Sequence, residues 1–318
     1  MTSTTLLSTS NHSLNAYRRL YDQTDPCLPI EELRHPLFDE KQLRVSVVRV
    51  DQIHPQISGN KWFKLKYNLK AVVEQGAKRV ISFGGAYSNH LHALAYACHR
   101  LGLASTGVVR GEPVDNPMLT DAKAWGMQIH FVDRASYRLR SVPEWISELQ
   151  ETLGAGAVLP EGGSNALAVK GVGELMRQIN RQEPALDYLL CACGTGGTLA
   201  GLVSHASGVI VQGVPVLKKG AFIRDEVQSL LDESPSSEEG GDWQLDLEGH
   251  YGGYGKIKPD HVLAMRALED QFSLPLDPVY TAKLFRRFME KVQTGEYPLG
   301  SKIALLHTGG LQGSRSIA

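Results

Sequence analysis

Hydrophobic and polar positions alternate in RVSVVRV (44–50), the pattern of a β-strand with one face turned to a core. After a short polar stretch, Trp62, Leu65, Leu69 and Val72 fall at helical spacing until Gly76 stops the run. The same order recurs downstream: strand RVISF, a helix through HLHALAYACHRL ending at Gly102, strand TGVV, a helix through DAKAW, strand QIHFV, then another helix and strand AVLP. A second series starts near Gly163 with a helix in NALAVKGVGELMRQI, strand DYLLCAC, helix TLAGLVSHA, strand VIVQGVPV and finally strand KIALLH. Such alternation predicts an α/β fold with two open, twisted, mostly parallel sheets flanked by helices. The polar, Gly-rich SPSSEEGGDW (234–243) reads as an exposed loop. Ligands of open α/β sheets bind beyond the carboxyl ends of the strands, so the loops in those places are where chemistry is sought.

Composition narrows the function. The chain has 318 residues, 42% of them hydrophobic, enough for a large core and about two domains. Its 33 basic and 34 acidic residues are interspersed and nearly cancel, leaving no footprint for a polyanion, so nucleic acid is not an expected partner. No apolar run approaches the roughly 18 residues that span a bilayer, and a soluble protein is expected. The opening MTSTTLLSTSNHSLNAYRR is rich in Ser and Thr, lacks the apolar core of a secretory signal, and is expected to be a mobile tail. Four cysteines, Cys27, Cys98, Cys191 and Cys193, are too few for a disulfide framework and show no CxxC spacing, which fits a reducing, cytoplasmic setting. Cys191 and Cys193 alternate on an apolar strand and read as core thiols.

The strongest local signal is Gly194-Thr195-Gly196-Gly197-Thr198, set between the strand DYLLCAC and the helix that follows it. Glycines let the backbone approach an anion, successive N–H groups point inward, and the positive helix end and two hydroxyls add to the attraction. A tight turn alone would also use glycine, but three glycines flanked by threonines favour a phosphate loop. It is not a P-loop, which ends in GK[ST], nor the dinucleotide fingerprint, which needs glycine where Leu199 stands. Ser58-Gly59-Asn60-Lys61 lies between the first strand and its helix and puts Lys61 in or near the first helical turn. There the helix end, the cations Lys64 and Lys66, and burial disfavour the ammonium, as a Schiff-base amine requires. Any lysine taken alone is better read as a solvated helical residue, and only the phosphate loop reverses that weighting. In Gly84-Gly85-Ala86-Tyr87-Ser88-Asn89-His90, Ser88 and Asn89 fall at a helix start suited to a carboxylate, although capping explains them equally well. His90, His92 and His99 diverge around a helix with no carboxylate to complete a set, so no metal is expected.

Taken in order, SGNKWFKL, GGAYSNH, LPEGGSNAL, CGTGGTLAGL, GGYGK, DPVYTAK and LLHTGG resemble the D-cysteine desulfhydrase and 1-aminocyclopropane-1-carboxylate (ACC) deaminase family, from about residue 40 onward. The resemblance implies pyridoxal 5'-phosphate (PLP) as cofactor and the type II PLP, tryptophan synthase β-like fold, usually as a homodimer. It also implies a larger cofactor-binding domain of residues 1–66 plus 168–318 and a smaller α/β domain of residues 67–167. It makes Lys61 the Schiff-base lysine and α-proton base, Asn89 a partner of the ring hydroxyl, Ser88 a ligand of the substrate carboxylate, and residues 194–198 the phosphate cradle. Tyr254 and Tyr280 become the active-site phenols, with Tyr280 a candidate acid/base, and Thr308 faces the pyridine nitrogen.

Within that family, Thr281 and Thr308 stand where ACC deaminases tend to have Glu and Leu, which favours the desulfhydrase side. A hydroxyl should leave the pyridine nitrogen largely unprotonated, unlike a carboxylate. Tyr87 and Phe63 replace the family's usual Gln and Arg, and Tyr87 is expected to reshape the pocket beside Ser88. The leading expectation is a PLP lyase for a small amino acid, with D-cysteine ahead of ACC. A PLP-binding protein without turnover and a dinucleotide-binding protein are the alternatives.

Overall fold

The computed structural model describes residues 3–21, 27–234, 236 and 240–316. Its first half comprises α1 (Ser3–Tyr21), β1 (Ile30–Leu33), α2 (Pro36–Glu40), β2 (Arg44–Val48), α3 (Asn60–Glu74), β3 (Arg79–Gly85), α4 (Asn89–Leu101), β4 (Ala104–Arg110), α5 (Pro117–Ala124), β5 (Met127–Val132), α6 (Pro143–Leu153) and β6 (Ala157–Leu159). The second comprises α7 (Ala166–Gln182), β7 (Tyr188–Cys193), α8 (Gly197–Val203), β8 (Ile210–Pro215), α9 (Ile223–Asp232), β9 (Trp243–Leu245), α10 (Pro259–Phe272), α11 (Thr281–Gln293) and β10 (Lys302–Leu306). Six strands form one sheet in the order β1-β2-β10-β7-β8-β9, and four form another in the order β5-β4-β3-β6. All neighbours are parallel except β1 and β2.

The two mostly parallel sheets expected from the alternation are thus present, with differences at their margins. The first strand ends at Val48, and Val50–Gln52 form a single 3-10 turn rather than its last residues. Its parallel ladder partner is β10, so the two ends of the alternating pattern lie side by side. In the loop expected at 234–243, residues 235 and 237–239 lie outside the described residues, and Trp243 already begins β9.

Burial follows the period-2 geometry of the strands. On the six-stranded sheet, Val48, Leu189, Cys191, Ala304 and Leu306 face one apolar cluster, whereas Val47, Leu190, Ala192, Ile303 and Leu305 face another. The first cluster continues through Leu65 and Leu69 of α3, Leu91 and Leu94 of α4 and Val172 of α7, so helices fill the space between the sheets. Close packing of α3 on α7 depends on Gly171, where an added Cβ would lie 2.0 Å from the Phe63 carbonyl oxygen. Cys191 and Cys193 are buried with their sulfurs 3.9 Å apart, in keeping with core thiols.

The opening segment is not a tail but a helix docked on the body. Leu14, Tyr17 and Tyr21 form an apolar stripe at helical spacing that the surrounding Ser and Thr residues obscure in the sequence. Tyr17 stacks on Tyr21 at 5.1 Å between ring centroids, and Tyr21 packs against Trp62 at 4.6 Å. The Tyr17 hydroxyl also donates to the Lys66 carbonyl at 3.1 Å. Tyr21→Ala is therefore expected to cost about 3 kcal/mol, read as a lower midpoint in thermal or urea unfolding.

Candidate active site

A cavity of about 560 Å³ opens where the carboxyl ends of β3, β4 and β7 meet the N-terminal turns of α3, α4 and α8. Lys61, Ser88, Asn89, Gly194, Thr195, Gly196, Thr198, Tyr254, Tyr280 and Thr308 all line it, so nearly every residue singled out from the sequence converges here. Gly197 lies just behind the wall. A Cβ there would come within 2.6 Å of Ser164 Oγ and 3.1 Å of Lys64 Nζ.

Lys61 sits in the first turn of α3, and its Nζ donates to Asn60 Oδ1 at 3.0 Å. The Asn60 amide in turn donates to Thr198 Oγ1 at 2.6 Å, tying the lysine loop to the glycine loop. Burial pushes the Lys61 ammonium down to about 8, with Asp277 the carboxylate pulling the other way. Lys66 takes no part in this, because its ammonium is bonded to Glu174 of α7 at 2.7 Å. Lys64 does take part. It is 2% exposed, donates to Ser164 Oγ at 2.7 Å, and is driven well below its ordinary value by burial and then by Lys61. Ser164 Oγ lies 2.6 Å from Thr195 Oγ1, which carries this chain of contacts into the glycine loop.

The loop itself passes through a left-handed residue, Gly196, into the first turn of α8, where the N–H groups have no intrahelical acceptor. Ser88 caps α4, its Oγ accepting from the Leu91 N–H at 3.3 Å. Asn89, the first residue of that helix, accepts from Gln312 at 3.0 Å. The rings of Tyr254 and Tyr280 meet edge to face at 6.0 Å. Burial raises both above the usual phenol range, so both hydroxyls keep their protons. Asp277 fixes Tyr280 by accepting the N–H groups of Val279 at 3.1 Å and Tyr280 at 2.5 Å, and burial lifts its carboxyl to about 7.

Thr308 follows β10, and its carbonyl is pressed against Gly59. With φ at +69°, Gly59 admits no side chain, since a Cβ would lie 1.9 Å from the Thr308 oxygen. Beneath this contact, His307 Nε2 donates to the Pro275 carbonyl at 2.8 Å, while Nδ1 accepts from the Gly309 N–H at 3.3 Å and lies 3.2 Å from Asp51. Asp51 is held in turn by Arg49 at 2.8 Å.

One expectation is corrected. Tyr87 is 46% exposed and does not line the cavity, so it does not reshape the pocket beside Ser88. Phe63 is buried in the main core. Thr281 does not face the cavity either, because its hydroxyl accepts from the Asp277 N–H at 2.7 Å inside the cap of α11. The histidines have other partners: His90 Nε2 is 2.8 Å from Ser82 Oγ, and His92 Nε2 is 3.0 Å from Asp121. Arg110 and Arg140 line the cavity without any signal in the sequence, and Glu161 and Ser164, which also line it, lie in the LPEGGSNAL stretch without having been singled out there.

Residues 26–309 match the family model described as pyridoxal-phosphate dependent enzyme. The chain belongs to that family. Pyridoxal phosphate is accordingly its cofactor. Among relatives, a Pyrococcus abyssi protein carried under the provisional name ACC deaminase is 31% identical over 286 residues, 85% of each chain. The bifunctional D-cysteine desulfhydrase/ACC deaminase of Arabidopsis thaliana is 28% identical over 289 residues, 84% of this chain and 72% of that one. A crystal structure of an ACC deaminase homologue superposes with a TM-score of 0.79 at 29% identity, covering 94% of this chain and 96% of the other. The cavity fits the family's cofactor in chemistry as well as size, because it gathers two desolvated amines, hydroxyls and a helix start, the donor set that a phosphate and an aldehyde need.

The Gly59 contact makes a prediction. Gly59→Ala should lower the unfolding midpoint much further than Gly208→Ala, which also has positive φ but nothing within 4 Å of an added Cβ. The control should show only the ~1–3 kcal/mol of backbone strain, and the difference between the two melts isolates the clash with Thr308.

Proposed function

We propose that the chain is a PLP-dependent lyase acting on a small amino acid, with D-cysteine as its best-supported substrate and ACC as the alternative. The reading rests on one observation above the others: a lysine amine, its pKa lowered to about 8 by burial, shares a cavity with a phosphate-type cradle and two protonated phenols.

In this reading Lys61 Nζ would hold the cofactor and would serve as the base for the α-proton of the bound amino acid. Thr195, Thr198, the N–H groups at the start of α8, and Lys64 with Ser164 hold the phosphate, and Asn89 lies by the ring hydroxyl. Ser88 and the start of α4 bind the substrate carboxylate, and Thr308 faces the ring nitrogen with a hydroxyl. The bound cofactor supplies an electron sink for the negative charge left at the α-carbon. Tyr280, backed by Tyr254, gives its proton to the departing sulfur. D-cysteine and water would thus yield pyruvate, hydrogen sulfide and ammonia.

The preference over ACC follows from the phenols. Opening a cyclopropane that has no α-hydrogen calls for a base or nucleophile at a ring carbon, whereas phenols that retain their protons are suited to act as acids. A thiolate leaving group needs no more than such an acid.

Purified protein should release sulfide and pyruvate from D-cysteine, with slower or no release of 2-oxobutyrate from ACC, and Lys61→Ala should abolish both. Full turnover by that variant would sink the proposal, and faster turnover of ACC would reverse the order of substrates. The amine also sets a pH dependence. Because its pKa is lowered to about 8, the neutral form grows as pH rises. Capture of pyridoxal phosphate by cofactor-free protein should quicken about fivefold from pH 7 to 8 and level off above about 9, followed as growth of the visible absorbance band.

A further inference from the structure

Arg110 closes β4 opposite Gly85 of β3, which puts it at the rim of the cavity above the turn that leads to Ser88. Its guanidinium lies over Gly85, with Nη2 4.0 Å from where a Cβ would stand, and packs on the buried ring of Tyr137 at 5.5 Å. Arg140 packs on the same ring at 5.1 Å, but it is neutralised by Glu161, whose Oε2 accepts from Arg140 Nε at 2.7 Å. Among the described residues, the Arg110 side chain has no ion pair and no hydrogen bond.

The other cations of the cavity are already committed. Lys61 and Lys64 point at the lysine and glycine loops, and Arg140 at Glu161. The remaining carboxylate on the lining, Glu226, is exposed on α9 beside the glycine loop, away from β4. Arg110 is therefore a donor fork, kept in orientation by an aromatic face, with no anion supplied by the protein. It stands close enough to the phenol of Tyr254 to act on it electrostatically. A guanidinium so placed matches the planar, two-oxygen geometry of an acid group.

We propose that, among amino acids open to the chemistry above, this site favours those carrying a second acidic group on the side chain, with Arg110 binding that group. The proposal rests on the reading of the cavity as the amino-acid site. The α-carboxylate occupies the start of α4, the α-amino group faces Lys61, and the side chain extends toward β4. D-cysteine tests the chemistry, and Arg110 sets the preference among side chains.

Aspartate and asparagine differ almost only in charge, so their ratio isolates the effect. The D and L forms of both are titrated into the holoenzyme, with binding read by isothermal calorimetry and by the change in cofactor absorbance. At least one aspartate enantiomer should bind about tenfold more tightly than its amide. Arg110→Gln should bring that ratio close to one, and Arg110→Lys should restore part of it. Arg110 lies at the rim, and retention of the visible band in the variants confirms an intact site. A ratio near one in the wild-type protein, or a preference unchanged in Arg110→Gln, overturns the assignment. A protein with no visible band and no keto acid from any amino acid would instead fail the broader reading, and calorimetry still decides the Arg110 question.

Discussion

Two lysine amines, the buried Lys64 and the half-buried Lys61, lie close together, each bonded to a neutral oxygen. Charging either is opposed by lost hydration, and charging both adds mutual repulsion. The rest of the site is organised around that difficulty. The start of α8 and the hydroxyls of Thr195, Ser164 and Thr198 surround the amines with polarity but no negative charge. Asp277, the carboxylate that does act on Lys61, is itself held at about 7 by burial and spends its hydrogen bonds on the backbone at Tyr280. A polyanionic ligand completes such an arrangement in a way no side chain there does.

Strand order explains how residues so far apart in the chain come to share one pocket. β10 inserts between β2 and β7, which delivers Thr308 to the loop after β2 and to the glycine loop after β7. The Gly59–Thr308 contact and the Asn60–Thr198 bond then fix three loops to one another. Because the carboxyl ends of the parallel strands gather here, the site is built from turns anchored at rigid elements.

The parts of this plan that were legible in the sequence are those with local signals. Strand-to-helix alternation gave both sheets, and SGNK, SNH and GTGGT each mark a turn between a strand and a helix. What escaped depends on contacts across the chain. Lys64 meets Ser164 across 100 positions, and Arg110 and Arg140 reach the same Tyr137 ring only through folding. β1 and β9 are short edge strands, and β1 is half-exposed with Glu31 and Glu32, so neither alternates clearly. The alternation also passes over α10 and α11, although Leu284, Phe285, Phe288 and Val292 of α11 keep a helical stripe. α1 was hidden by composition, and Tyr87 was assigned to the pocket from its neighbour Ser88 in sequence, whereas it is exposed outside the cavity wall.

The docking of α1 also bears on how the protein is handled. The family match begins at residue 26, beyond the end of α1, so trimming a recombinant clone to the matched region would remove a helix that belongs to the core. The surface laid bare would include Trp62, the residue next to Lys61, together with the apolar faces of α3 and α4 against which α1 rests. Such a freshly exposed patch invites self-association. A shortened product that collects in inclusion bodies, or is recovered colourless, would then report the missing helix rather than the chemistry of the pocket.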